Sequence, residues 1–381
     1  MVDFTRRLAR VQQAMAAGAI DLLFLNASTN LQYLTGIARD EPNYGNTMYP
    51  GEWLTGAWVP QQGAPILTLP RMLADFHLGH IPGYDVRVLP DAGDPVALAA
   101  EVMTALHVPA NARIAVDDRS WAELVLNVQK LRPQAVLSQA SAIMAPIRRI
   151  KEEDEIAIMR KAGEITEAAY LATLQQLKHG MTNLDLITEV NYQLRKHGSR
   201  THSFVTSFYN MGAAYPFDFT NREEVLQVPL EAPVSVSFDF GAVYEGYCYD
   251  YGRSVFFGEP DEEYRRVHVL VMASQAAGIA ALRTGGTCEA ADAAARQVIV
   301  DGGYGPAFRH RLGHGIGMDV HEPPFLTAGD ATELAEGMCF TVEPSIFMPH
   351  HLGCRVEDVV VVRAGGGEAL TSGFQSLHVV A

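Results

Sequence analysis

The chain reads as an α+β protein of two domains: a smaller α/β domain over residues 1–148, and a larger one over 149–381 in which a helix pair followed by an antiparallel strand pair occurs twice. Three observations predict this. Strand-length apolar runs alternate with helical periodicity through the first 148 residues. A charged segment at 145–155, APIRRIKEEDE, then opens a long amphipathic helix with Ile158, Ala162, Ile165, Ala169 and Leu177 mostly on one face. Beyond it, the stretches 178–198 and 283–303 share one layout, and each is followed by β-rich sequence carrying two acids.

In the first domain, MVDFTRRLARVQQAM predicts an amphipathic helix; it lacks the apolar core and small-residue cleavage site of a signal peptide. Residues 22–25 and 66–69 are strand-length apolar runs, and 113–116 precedes an Asp117-Asp118 turn. Pro60, Gly63, Pro70, Pro82, Gly83 and Pro90 punctuate the rest. The aromatic- and turn-rich segment 39–53, RDEPNYGNTMYPGEW, fits either a surface loop or a lid. Nothing in this domain looks catalytic.

In the second domain each repeat has a Gly suited to a helix C-cap, a Thr N-cap (Thr182, Thr287), and a helix ending at Gly (Gly198, Gly303), at one common offset. After the first helix pair comes VSVSFDFGAVYEGYCYDYGRSVFF, with Asp239 and Asp250. After the second come CFTVEPSIFM and CRVEDVVVV, with Glu343 and Glu357.

Composition excludes some classes. A net charge of −15 argues against a polyanion partner, since nucleic-acid binding needs a basic stripe. No apolar run reaches the ~18 residues of a membrane span. Cys248, Cys288, Cys339 and Cys354 lack CxxC spacing, as expected of reduced thiols in a cytoplasmic protein.

The acids are the informative residues. Asp239 and Glu343 sit in apolar strand sequence, where a charge is costly unless paired or bound to metal. A hairpin centred at Tyr244-Glu245 would set Asp239 and Asp250 on one sheet face, and one centred near His350 would do the same for Glu343 and Glu357. Four converging carboxylates repel, and divalent cations relieve them; four separate surface acids is the plainer reading. In HRLGHGIGMDVHEPP, glycines flank His314, so the backbone can approach closely and adopt unusual angles, and a neutral imidazole there can reach a metal. His321 precedes Glu322 and two stiffening prolines, and His310 reads as structural.

FDFG…YDYGRS, GHGIG…HE, FTVEP and GCRVED together resemble the M24 metallopeptidase family, the "pita-bread" fold of Xaa-Pro aminopeptidases, prolidases and methionine aminopeptidases. The stretch RLARVQQAMAAGAIDLLFLNASTNLQYLTG resembles the creatinase/prolidase N-terminal domain. The resemblance implies that Asp239, Asp250, His314, Glu343 and Glu357 bind two divalent ions, with Asp250 and Glu357 bridging them. It also implies that His321 is catalytic and that a metal-bridging hydroxide attacks the substrate. Glu343 would relay the proton. Mn, Co, Zn or Fe all suit this donor set, Mn being favoured. Arg355, two residues from Glu357, would orient it, and Arg253 is a further supporting candidate. The family is often dimeric, so a homodimer is expected, with 39–53 closing the neighbour's pocket.

Two positions depart from the family. Pro216 is followed by Phe217 where prolidases usually have a substrate-holding histidine, and Ser345 stands where Gly is usual. Tyr209, Tyr215, Phe217 and Phe219 form an aromatic cluster, either core or pocket wall. The expected function is an Xaa-Pro dipeptidase or aminopeptidase acting on small peptides. The alternatives are a hydrolase or lyase on a non-peptide small molecule, and a non-catalytic binding protein.

Overall fold

A computed structural model describes residues 2–38, 51–75, 84–215, 222–371 and 376–381. The chain divides into two compact units, Met1–Arg148 and Arg149–Ala381. Among the described residues no helix is long and apolar enough to cross a membrane. Residues 39–50 of the expected lid, together with Phe217 and Phe219, lie outside the described residues.

The first unit is an α/β layer structure. Its strands are β1 (Leu22–Asn26), β2 (Gly56–Pro60), β3 (Ile66–Pro70), β4 (Asp85–Leu89), β5 (Arg113–Val116) and β6 (Val136–Gln139), in the sheet order β4-β3-β2-β1-β5-β6. The helix Phe4–Ala17 is capped by the Asp3 carboxylate, which accepts from the Arg6 N–H. Pro95–Ala105 starts with Pro at its first position and Asp94 as cap. Leu22, Phe24, Trp58, Met103, Ile114 and Val128 fill the core, each such side chain contributing ~1.5–3 kcal/mol by leaving water.

The second unit carries the helix pairs Glu153–Leu174 with Asn183–Lys196, and Glu262–Ala281 with Cys288–Asp301. Thr182 and Thr287 are their N-caps, each side chain accepting a backbone N–H three residues on. Gly180 and Gly285, just before those caps, both have left-handed backbone, at φ 83° and 81°. The duplicated layout is therefore physical and not only textual.

Ten strands of this unit build the site: β7 (Ser207–Met211), β8 (Val234–Phe240), β9 (Val243–Tyr244), β10 (Tyr247–Cys248), β11 (Tyr251–Phe257), β12 (Gly313–Gly315), β13 (Glu322–Leu326), β14 (Cys339–Val342), β15 (Ser345–Met348) and β16 (Leu352–Arg363). The main sheet runs β13-β12-β14-β16-β11-β8-β7, and β16 also pairs with β15. β16 is buried almost throughout, as the apolar run Val359, Val360, Val361 and Val362 requires. Gln275, on the helix Glu262–Ala281, donates to Asp358 at 2.9 Å, so that helix covers the face of β16 opposite Glu357.

Candidate metal centre

The site is a row of residues across the sheet. The β11–β16 ladder sets Gly252 opposite Glu357, and the β8–β11 ladder sets Gly252 opposite Asp239. On its other edge β16 pairs Asp358 with Val342 and Arg355 with Ser345 in one continuous register, so Glu343 occupies the place opposite Glu357. The turn between the latter strands is near His350, whose φ is 60°.

The first hairpin differs from the sequence expectation. Its turn is Glu245-Gly246, both left-handed at φ 46° and 85°, one position later than Tyr244-Glu245. Asp239 therefore faces Gly252 and not Asp250. Because alternate residues share a face, Asp250 still projects into the site: its Oδ2 is 3.5 Å from His314 Nε2.

Gly252 is what makes the row a hollow. A Cβ there would stand 2.8 Å from Glu357 Oε2, 2.9 Å from Glu357 Cβ and 3.1 Å from Arg355 Cδ. The bare backbone lets the Arg355 stem pass over β11 toward β8. Arg355 Nη1 reaches Asp239 Oδ2 at 2.7 Å, and Nη2 lies 3.7 Å from Glu343 Oε2. So Arg355 orients Asp239 and Glu343, not Glu357 as its spacing suggested. Tyr209 supports the same carboxylate, its hydroxyl donating to Asp239 Oδ2 at 3.0 Å.

Arg253 does not support the ligands from the site face. Next to Gly252 on a pleated strand it points the opposite way, into a buried pair in which both Asp358 oxygens accept from its Nη2, at 2.8 and 3.0 Å. Toward the site its Nη1 donates to the backbone carbonyls of Glu357 and Gly252.

His314 sits on β12, squeezed between β13 and β14. A Cβ at Gly313 would be 1.9 Å from the Thr341 carbonyl, and one at Gly315 would be 2.4 Å from that of Glu322. Neither glycine has positive φ, so close approach, not unusual backbone angles, explains them. Thr341 is the residue the sequence reading missed. Its hydroxyl accepts the His314 backbone N–H at 3.0 Å and donates to Glu343 Oε1 at 3.2 Å, tying the two candidate residues together. The only textual signal is its place two residues before Glu343.

The chemistry of this donor set calls for cations. His314 Nδ1 donates to the Gly315 carbonyl at 3.1 Å, which directs Nε2 at Asp250 (3.5 Å) and Glu343 (3.4 Å). Burial lowers this imidazole, but the two acids outweigh it and raise it overall, so without metal Nε2 holds a proton in the place a cation would take. Asp250 Oδ1 and Glu357 Oε2 are buried without a hydrogen-bond partner. Ligand atoms of Asp250, His314 and Glu357 all lie within 4.8 Å of one another. Burial first, then the neighbouring carboxylates, push Asp239 up to about 6 despite Arg355, and push Glu357 well above the usual range. Glu343 is raised by its burial and by Asp250. These residues fit divalent metal.

His321 is exposed, its ring centroid 4.1 Å from that of His314. Burial of part of the ring and then the charge of His314 lower it to about 4, so it is a neutral donor at pH 7. His310 is packed edge-on against Phe308. Its Nδ1 donates to the Arg311 carbonyl and its Nε2 accepts from Ser345 Oγ, a structural role. Tyr215 is also structural. Its hydroxyl donates to the Pro229 carbonyl and accepts the Glu231 N–H, which ties the side chain to the segment 229–231.

The chain is similar to known proteins in both sequence and fold. The model of metallopeptidase family M24 matches residues 157–364, and that of the creatinase/prolidase N-terminal domain matches residues 7–150. An Xaa-Pro dipeptidase of Lactobacillus delbrueckii subsp. lactis is 31% identical over 98% of this chain and 98% of its own length. A probable dipeptidase, PepE, of Mycobacterium tuberculosis is 31% identical over 99% of this chain and 96% of its own. Among solved structures, a prolidase from Thermococcus sibiricus superposes with a TM-score of 0.89 at 26% identity, covering 100% of both chains. The dipeptidase PepE from Mycobacterium ulcerans gives 0.81 at 28% identity, over 99% of this chain and 98% of that one.

Proposed function

The chain belongs to metallopeptidase family M24, and from that premise we propose that it is a metal-dependent Xaa-Pro dipeptidase or aminopeptidase. The observation that carries the reading is the buried row of Asp239, Asp250, Glu343 and Glu357 around His314, with orphaned carboxylate oxygens and the His314 Nε2 directed at two of the acids. The Xaa-Pro part is supported by the Lactobacillus relative, an Xaa-Pro dipeptidase, and by the Thermococcus prolidase.

In this reading Asp239, Asp250, His314, Glu343 and Glu357 would hold two divalent cations, Mn²⁺ being the favoured ion. Such cations would supply Lewis-acid chemistry, making a water more acidic and polarising the scissile carbonyl. Glu343 takes the proton released in the attack and passes it toward the departing amine; Thr341 and Arg355 hold its two oxygens in place for that. His321, neutral and exposed beside His314, donates its ring N–H to the developing oxyanion. Arg355 and Tyr209 keep Asp239 oriented. A homodimer in the cytoplasm belongs to the same reading.

The test is His321→Ala with metal content measured alongside. Turnover is expected to fall ~10²–10³-fold, the loss typical of an oxyanion donor, with metal retained. Full turnover with metals bound would end the role given to His321.

A further inference from the structure

His321 is left without anchorage of its own. Among the described residues its ring makes no hydrogen bond, and its one ring contact is with His314. Its position must come from the chain on either side. On one side lies the turn 316–320; on the other is Glu322, whose backbone stands opposite Gly315 after a register shift between His314 and Gly315.

That Glu322 side chain is not surface decoration. It is buried, and its Oε2 pairs with Lys151 Nζ at 3.0 Å, the two side chains 8% and 3% exposed. Its Oε1 accepts the Asp319 N–H at 3.1 Å, closing the turn. The pair lies directly on Gly317, where a Cβ would stand 2.8 Å from Lys151 Cε and 2.9 Å from each Glu322 oxygen. The turn is held from the other side by Cys248, whose N–H donates to the Gly317 carbonyl at 2.8 Å. Lys151 is itself fixed, its N–H bonded to the Gly337 carbonyl at 2.9 Å.

A buried lysine–carboxylate pair is a weak device for stability, because desolvating both charges offsets most of their attraction. It is a good device for fixing one geometry. We propose that Lys151 is a positioning residue for His321: through the Glu322 carboxylate it clamps the turn 317–322 and so holds the His321 ring at its place against His314. This rests on the role given to His321 above, and the experiment separates the two.

Lys151→Met and the double variant Lys151→Met/Glu322→Gln are compared with the parent and with His321→Ala, all loaded with Mn²⁺. The steps read are kcat, KM, Tm and metal content, together with the His321 signal of ring-labelled enzyme by NMR in the metal-stripped state, assigned by its loss in His321→Ala. The expected result is a ~10–100-fold drop in kcat for both Lys151 variants with KM and metal content little changed, the loss typical of a removed orienting partner. The double variant regains Tm, because no charge is left unpaired, yet stays slow. The His321 signal shifts or broadens in both. If the double variant recovers turnover with Tm, or the signal stays where it was, the pair is only structural and the proposal is overturned. If instead His321→Ala turns over fully while the signal still moves in the Lys151 variants, the clamp exists and it is the catalytic role of His321 that fails.

Discussion

Gly252→Ala tests whether the hollow between the acids is what the sheet was built to hold. The added methyl would stand 2.9 Å from Glu357 Cβ and 2.8 Å from its Oε2. The carboxylate oxygen could swing away, but the Glu357 Cβ moves only with β16, which is hydrogen-bonded on both edges. Carbon atoms pack at about 3.5–4.0 Å, so β11 and β16 must part by more than half an ångström. Overpacking of this kind costs ~1–3 kcal/mol. For a unit of this size that is a fall in Tm of roughly 2–12 °C. The metal effect should be larger, because the methyl displaces Glu357 and the Arg355 stem together. Calorimetry of the metal-stripped protein and metal content after dialysis against a weak chelator measure the two effects. A Gly252→Ala protein with parental Tm and parental metal content would refute the reasoning, since it would mean that nothing fills the space above Gly252.

Two further outcomes follow from the same geometry. Arg355→Met leaves Asp239 and Glu343 buried without their guanidinium, and breaking such a pair costs ~3–5 kcal/mol in the metal-stripped protein. Added Mn²⁺ should recover part of it, and a variant as stable as the parent without metal would contradict the ion-pair account. The pH dependence has a definite sign. Folding raises Asp239 to about 6 and lifts Glu343 and Glu357 above the unfolded carboxylate range, so between that range and the raised values the folded state binds more protons. Stability of the metal-stripped protein therefore falls as pH rises through this window. Metal displaces those protons, so the Tm gain on adding Mn²⁺ should be larger at about pH 7.5 than at about pH 5; equal gains would count against a carboxylate site.

Much of this site was legible because burial makes certain residues conspicuous. An Asp between Phe238 and Phe240, or a Glu after Val342, has no cheap reason to be there, and the repeated helix pairs showed that both acids occupy equivalent places. The caps Thr182 and Thr287 were legible because capping is local chemistry. Register was harder. Moving the turn by one position, to Glu245-Gly246, exchanged Asp250 for Gly252 opposite Asp239 while leaving the face unchanged, since a pleated strand repeats every two residues. Arg253 was misread because its neighbour faces the site and it does not. The reach of Arg355 to Asp239 crosses the intervening strand β11 and depends on a missing side chain at Gly252, a fact that exists only once both of that strand's registers are known. The Lys151–Glu322 pair, 171 residues apart, leaves no local trace at all.

The central claim is a metal-dependent cut at Xaa-Pro bonds, and the most direct measurement is hydrolysis of Ala-Pro, Met-Pro, Ala-Pro-Ala and Ala-Ala by metal-stripped protein, with and without Mn²⁺ or Co²⁺. Cleavage is expected only when metal is restored and only before proline, leaving Ala-Ala intact. No cleavage of any peptide by protein carrying two metals per chain would contradict it, and would turn the same intact centre toward a non-peptide small-molecule substrate.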